Sequence, residues 1–249
     1  MGNKWAVGVT TVPKRADSLR RTLTSMKAAG FDKYWLFYDG DAPEVLVAGL
    51  GPHGSLGYTC RSSPARVHGN WVLALSELWI RNWEATRFMV VQDDVVFCRG
   101  VREYLDATPW AARSYLNLYT NPRNAEHLGK REGWSPSNGE GLGALALVFD
   151  RQAVMQLLTS HHMLMRPVPD EEALHKVGLE AIRKGEWYRG QSVVDGGIVT
   201  AMKQVGYHER VHNPSLVQHT GDESSFSRNR HRPSPCFLGE EFDLRSMIR

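Results

Sequence analysis

The sequence predicts an α/β fold with a mixed, mostly parallel central sheet flanked by helices. Three observations carry this. The first forty residues read strand, helix, strand, the unit that builds parallel sheets; the run Phe88 to Val91 is apolar throughout, as in a strand buried on both faces; and no internal repeat or Pro/Gly/Ser-rich linker divides the 249 residues.

Taken in order, Trp5 to Val9 forms the first strand, which Thr10-Thr11-Val12-Pro13 ends because proline cannot donate to a ladder. Leu19, Leu23 and Met26 then recur at helical spacing, with Asp17 or Ser18 to cap the helix and Gly30 to stop it. Tyr34 to Tyr38 is the second strand, closed by Asp39-Gly40-Asp41. Residues 42 to 66 are rich in Gly and Pro and hold one short strand near Tyr58. Trp71, Leu75, Leu78 and Trp79 mark an amphipathic helix, and Phe88 to Val91 leads directly into Gln92-Asp93-Asp94. Asn121 to Gly143 is polar and Gly-rich and reads as a loop able to cover a site. A strand at Ala144 to Phe149, a helix through Val154, Leu157 and Leu158, helices at Glu171 to Lys184 and Asp195 to Lys203, and an extended stretch at Pro214 to His219 complete the chain.

Composition excludes several classes. With 42% hydrophobic and 23% charged residues the chain matches folded proteins rather than disordered ones. The net charge of +3 is too small to mark a nucleic-acid binder, although Arg228-Asn229-Arg230-His231-Arg232 is a basic run that would meet an anionic partner or form a solvated tail. Cys60, Cys98 and Cys236 have no CxxC spacing and read as free thiols of a reducing compartment. No segment approaches the roughly 18 apolar residues of a membrane span, and no apolar leader is visible, so a cytoplasmic protein is expected.

The most informative chemistry is Asp93-Asp94, two carboxylates set between the apolar segments Phe88 to Val91 and Val95 to Phe97. Burying that charge needs compensation, and Mg²⁺ or Mn²⁺ shared with substrate phosphates would provide it. The competing reading is a strand end capped by solvated aspartates.

Val7-Gly8-Val9-Thr10-Thr11-Val12-Pro13-Lys14-Arg15, followed by Leu19, Thr22-Leu23 and Ser25, resembles the first strand, nucleotide loop and helix of the GT-A class of glycosyltransferases. Gln92-Asp93-Asp94-Val95 is similar to its acidic motif. Pro214-Ser215-Leu216-Val217-Gln218-His219-Thr220-Gly221, with Ser224-Ser225, is similar to the closing segment of some N-acetylglucosaminyltransferases. The resemblance implies a single-domain GT-A enzyme over 1–249, with a nucleotide-binding half at about 1–98, an acceptor-binding half at about 99–227 and a basic tail at about 228–249.

By this resemblance Asp94 coordinates the metal, with His219 a second ligand near the phosphates, while Gln92 and Asp93 contact the ribose or a metal-bound water. Gln92 departs from the carboxylate that commonly opens the motif; an amide still bonds a ribose hydroxyl but does not neutralise a cation, so weaker metal affinity is expected. Thr10, Pro13 and Arg15 line the base and phosphate side, and Lys14 and Arg15 are also ordinary charges for a helix start. Asp39 suits the uracil or ribose end, as does Asp41 less well, against an Asp-Gly turn that needs no ligand. Asn70 and Arg66 are weaker donor contacts.

Asp195, in Val193-Val194-Asp195-Gly196-Gly197, resembles the base of inverting members and sits beside glycines that leave room for an acceptor; the alternative is a helix N-cap. Glu140 and Asp170 are reserves, and His161-His162 lacks the spacing of a helical metal site. The implied reaction is inverting transfer of a hexose or N-acetylhexosamine from a UDP-sugar to a hydroxyl of a glycan, a protein or a hydroxymethylated base in DNA. Trp134 suits stacking on such a base. Two rivals stand beside it: a nucleotidyltransferase, which usually has a Gly-rich loop after the first strand where this chain has Thr10-Thr11-Val12-Pro13, and a non-catalytic sugar- or nucleic-acid-binding module, kept open by Gln92.

Overall fold

A computed structural model describes residues 2–41, 55–63, 65–160, 163, 194–220 and 233–248. The helix expected at Glu171 to Lys184, Asp170, the His161-His162 pair, Ser224-Ser225 and the basic run 228–232 lie outside these residues.

Strand β1 (Trp5–Thr11) alternates its side chains between two cores and ends before Pro13, which opens a 3-10 turn (Pro13–Arg15) leading into α1 (Ala16–Ala28). Then follow β2 (Tyr34–Tyr38), β3 (Ser55–Cys60), α2 (Arg66–Arg81), β4 (Arg87–Gln92) and β5 (Val95–Phe97). The second half supplies α3 (Val101–Ala107), β6 (Ser114–Asn117), α4 (Pro122–Leu128), β7 (Gly133–Pro136), β8 (Ala146–Asp150), α5 (Arg151–Leu158), α6 (Val194–Gln204), β9 (His208–Asn213) and β10 (Val217–His219).

Eight strands form one sheet in the order β3-β2-β1-β4-β8-β6-β9-β7. β3, β2, β1 and β4 are mutually parallel, β8 runs antiparallel to β4 and β6, β6 and β9 are parallel, and β7 closes the edge antiparallel to β9. The sheet is therefore mixed, with one wholly parallel half, and helices cover both faces.

The two faces explain the sequence pattern. Val7, Val9, Met89 and Val91 pack with Leu19, Leu23 and Met26 of α1 on one side. Ala6, Phe88 and Val90 pack with α2, α5 and α6 on the other. A strand buried on both faces must be apolar at every position, which is why Phe88 to Val91 shows no alternation. β10 pairs with β5 in a separate two-stranded ladder, bringing residue 219 back to the end of β4. No helix of the described residues is long and apolar enough to cross a membrane.

The stretch Asn121 to Gly143 is not a plain loop. Asn121 caps α4, its side chain accepting from the Asn124 N–H at 2.9 Å, and Pro122 takes the first helical position, where no N–H is needed. β7 forms because β9 offers a paired edge, with Trp134 opposite His212. His212 is fully buried; its Nδ1 donates to the Pro214 carbonyl at 2.6 Å and its Nε2 accepts from the Tyr104 hydroxyl at 2.7 Å, so burial holds it neutral and pushes its pKa down to about 4. Trp134 stacks edge-on against the same ring at 4.9 Å between centroids and packs on the core, which turns this face of the indole to the interior.

Candidate functional site

In the parallel half the chain order reverses between β1 and β4, and ligands of open α/β sheets bind outside the carboxyl ends at that point. Thr10 and Gln92 are register partners there. Just beyond them, β1 delivers Thr11 and the Pro13–Arg15 turn, and β4 delivers the Asp93-Asp94 turn.

Helix α1 fixes that acidic turn. The Ser18 hydroxyl donates to the Asp93 carbonyl at 2.7 Å, and the Val95 N–H donates to Thr22 Oγ1 at 3.2 Å. Both carboxylates are buried, at 4% and 3% exposure, which excludes the solvated strand end. Their charge is met from β1's side. Thr11 Oγ1 donates to Asp93 Oδ2 at 2.5 Å, and Arg15 Nη1 donates to Asp93 Oδ1 at 2.8 Å and to Asp94 Oδ2 at 2.6 Å. Burial alone would lower the Arg15 pKa, but Asp94 and Asp93 outweigh it and hold the guanidinium firmly charged. For Asp93 burial dominates: its pKa is raised despite Thr11 and Arg15.

One atom of this cluster is left over. Asp94 Oδ1 is buried without a hydrogen-bond partner. His219, on β10 and in register with Val95, places Nε2 3.5 Å from Asp94 Oδ2, and the Thr220 N–H donates to the Asp94 carbonyl at 2.8 Å. Among the described residues no three His, Cys, Asp or Glu side chains gather to cage an ion. An acidic oxygen without a partner and an adjacent imidazole nevertheless fit a divalent cation that draws its remaining ligands from phosphates and water, as Mg²⁺ usually does.

The other expected contacts are distributed as follows. The Gln92 side-chain amide donates to the Ala144 carbonyl at 2.9 Å, tying β4 to the second half. Thr10 Oγ1 turns to the Val91 carbonyl at 3.3 Å. Asp39 Oδ1 accepts the Ala65 N–H at 2.6 Å, just before α2, while Gly40 lies against Pro13. Asn70 is buried, donating to the Phe37 carbonyl at 3.0 Å and accepting from Arg61 at 2.7 Å, so both ends of its amide brace β2 and β3. Lys14, Asp41 and Arg66 are exposed.

Asp195 lies in the first turn of α6, half-buried, its Oδ2 accepting the Gly143 N–H at 2.5 Å. Asp195 thus stands inside the first turn instead of before it, and its carboxylate receives N–H groups of a neighbouring loop as well as its own. Burial raises the Asp195 pKa against the backbone N–H groups of Gly143, Ala144 and its own residue. Gly143 has φ +84°, and a Cβ there would stand 2.4 Å from the Tyr119 ring, so only glycine brings this peptide so close. The Gly143-Ala144 segment bonds Gln92 on one side and Asp195 on the other, which joins the acidic motif to the expected base through a single stretch of backbone.

The loop carrying it is lashed down. Lys203 Nζ donates to the Gly139 carbonyl at 2.9 Å, Asn117 and Asn121 donate to the Leu142 carbonyl, and buried Glu140 pairs with Arg123 at 2.9 Å. The stretch expected as a covering loop is thus bonded to α6, β6 and α4. Sequence reasoning missed Glu209, a buried carboxyl on β9 whose pKa burial pushes up to about 7. Its one signal was a charge next to the apolar Val211 side of an alternating segment, legible only once β9 is recognised as a strand.

No family model matches this sequence, and no curated protein matches it either.

Proposed function

We propose that the chain is a metal-dependent, inverting glycosyltransferase of GT-A type that moves a sugar from a nucleoside diphosphate, UDP foremost, to a hydroxyl. The observation that carries this is the buried Asp93-Asp94 turn at the β1/β4 switch point, with an unpartnered Asp94 oxygen beside His219.

In this reading the nucleotide lies across the carboxyl ends of β1 and β2, between the Thr10 to Arg15 segment and Asp39. Asp94 and His219 would hold Mn²⁺ or Mg²⁺, whose chemistry is to stabilise charge on the departing diphosphate. Arg15 keeps the acid pair compensated and stands within reach of the same phosphates. Asp195 takes the proton of the acceptor hydroxyl as its oxygen attacks the anomeric carbon, and the bond to the diphosphate breaks with its electron pair leaving on oxygen. A raised pKa suits that role, because it makes Asp195 a stronger base. The wall from Ser137 to Gly143 bounds the space for the acceptor.

The loop after β1 is Val12-Pro13-Lys14 and not Gly-rich, which favours this reading over nucleotidyl transfer. The test is UDP release from UDP-sugars with Mn²⁺. Asp195→Asn is expected to lower turnover by about 10²–10⁴-fold while nucleotide binding persists. Unchanged turnover removes Asp195 from the role; nucleotide binding without release from any donor makes the chain a binding module.

A further inference from the structure

The loop that holds Asp195 is tied to a second buried carboxyl: Asn117 Nδ2 donates to Glu209 Oε1 and, at 3.4 Å, to the Leu142 carbonyl, and the next residue, Gly143, donates its N–H to Asp195. Glu209 and Tyr115 are register partners on the parallel pair β9 and β6, and Asn117 follows on the same face. Asn117 Nδ2 donates to Glu209 Oε1 at 3.0 Å, while Glu209 Oε2 and the Tyr115 hydroxyl are both buried without a hydrogen-bond partner. Tyr115 is 1% exposed, stacked on Phe149, and feels the charges of Glu209 and Asp195 together. A carboxyl oxygen and a phenol hydroxyl with unspent hydrogen-bonding capacity make an expensive interior that packing alone does not require.

We propose that Glu209 is a positioning residue for the base, coupled to Asp195 through Asn117 and the Leu142-Gly143 backbone, and that its proton sets how strongly Asp195 accepts one. This rests on the glycosyltransferase reading above.

The groups facing Glu209 are Asp195 and Lys203 from α6, Tyr115 from β6, and Ser137 from the wall, where Glu140 is paired with Arg123. Burial raises Glu209 most; Ser137 and Asn117 oppose, Asp195 adds to the rise and Lys203 subtracts, leaving it at about 7. Below that pH Glu209 is neutral. Above it, its negative charge makes protonation of Asp195 easier, and the base strengthens.

The experiment follows the carboxyl ¹³C signal of Glu209 in the full chain, assigned by its loss in Glu209→Gln, across pH 4 to 9. Asp195→Asn is expected to move the Glu209 midpoint down, while burial still holds it above the ordinary glutamate range; an unmoved midpoint overturns the coupling whether or not the chain is an enzyme. With turnover measured alongside, the wild type is expected to gain ~3-fold as pH rises through the Glu209 midpoint. Glu209→Gln flattens that step and keeps the low-pH rate. A purely structural Glu209 would instead lower the rate equally at every pH, and this result would also overturn the proposal. Coupled midpoints in a chain that releases no UDP would reject the glycosyltransferase reading and leave the carboxyl pair standing.

Discussion

At the end of β4, Asp93 and Asp94 share one guanidinium nitrogen, 2.8 and 2.6 Å away. At the start of α6 and on β9, Asp195 and Glu209 are held by a peptide N–H and an amide at 2.5 and 3.0 Å. Both regions withdraw a pair of carboxyls from water, Asp195 only in part, yet one compensates charge with a shared guanidinium and the other chiefly with neutral dipoles. In the first, Arg15 sets a full charge against the burial that nevertheless raises the Asp93 pKa. In the second, burial raises both pKa values with little charge to oppose it. Under the proposed function the first pair serves the cation and the phosphates, and the second serves the proton.

Removing Arg15 breaks this contrast most severely. Arg15→Met leaves Asp93 and Asp94 buried without their partner, and a loss of about 3–5 kcal/mol in urea unfolding is expected. A loss below about 1 kcal/mol, the scale of an exposed pair, would mean that the guanidinium does not compensate the site.

Glu209 sharpens it with the opposite sign. Its pKa rises from 4.5 unfolded to about 7 folded, so its favourable contribution is complete below pH 4.5 and is lost as pH climbs through 7. Glu209→Gln should therefore stabilise the protein at pH 8, by up to about 3 kcal/mol, and leave it little changed at pH 4. Destabilisation at pH 8 would show that the ionised carboxyl is well solvated or paired, contrary to the comparison.

The smallest effect falls on the backbone between the regions. Gly143→Ala forces a Cβ into the Tyr119 ring at a positive φ and should cost about 1–3 kcal/mol, with turnover falling further than stability because Asp195 loses its N–H donor. Equal losses in both would reduce Gly143 to a packing residue.

Much of the frame was legible because it rests on local chemistry. Leu19, Leu23 and Met26 made α1 readable by spacing, Pro13 ended β1, and the unbroken run Phe88 to Val91 gave the central strand. The acidic motif stood out since two carboxylates interrupt apolar sequence. Arg15 was expected on phosphate; its grip on Asp93 and Asp94 depends on β1 and β4 being neighbours, which no local window contains. Asn70 and Asp39 looked like ligand contacts and are engaged in bracing β2 and α2, since an Asn or Asp at a strand end meets orphan backbone groups as readily as a nucleotide. β6 and β9 were invisible because Ser114–Asn117 is only four residues and His208–Asn213 is mostly polar, and Glu209 vanished with them. Asn121-Pro122 did carry a helix-start signal, obscured by the glycines that follow.

The most direct test of the central claim is thermal unfolding of the full chain with a panel of nucleotide-sugars, each with and without Mn²⁺. A ligand that binds the folded state alone raises the melting temperature, so a UDP-sugar is expected to raise it only weakly by itself and clearly more with the metal, and Asp94→Asn should erase the difference. No shift with any donor, with or without Mn²⁺, would contradict the account.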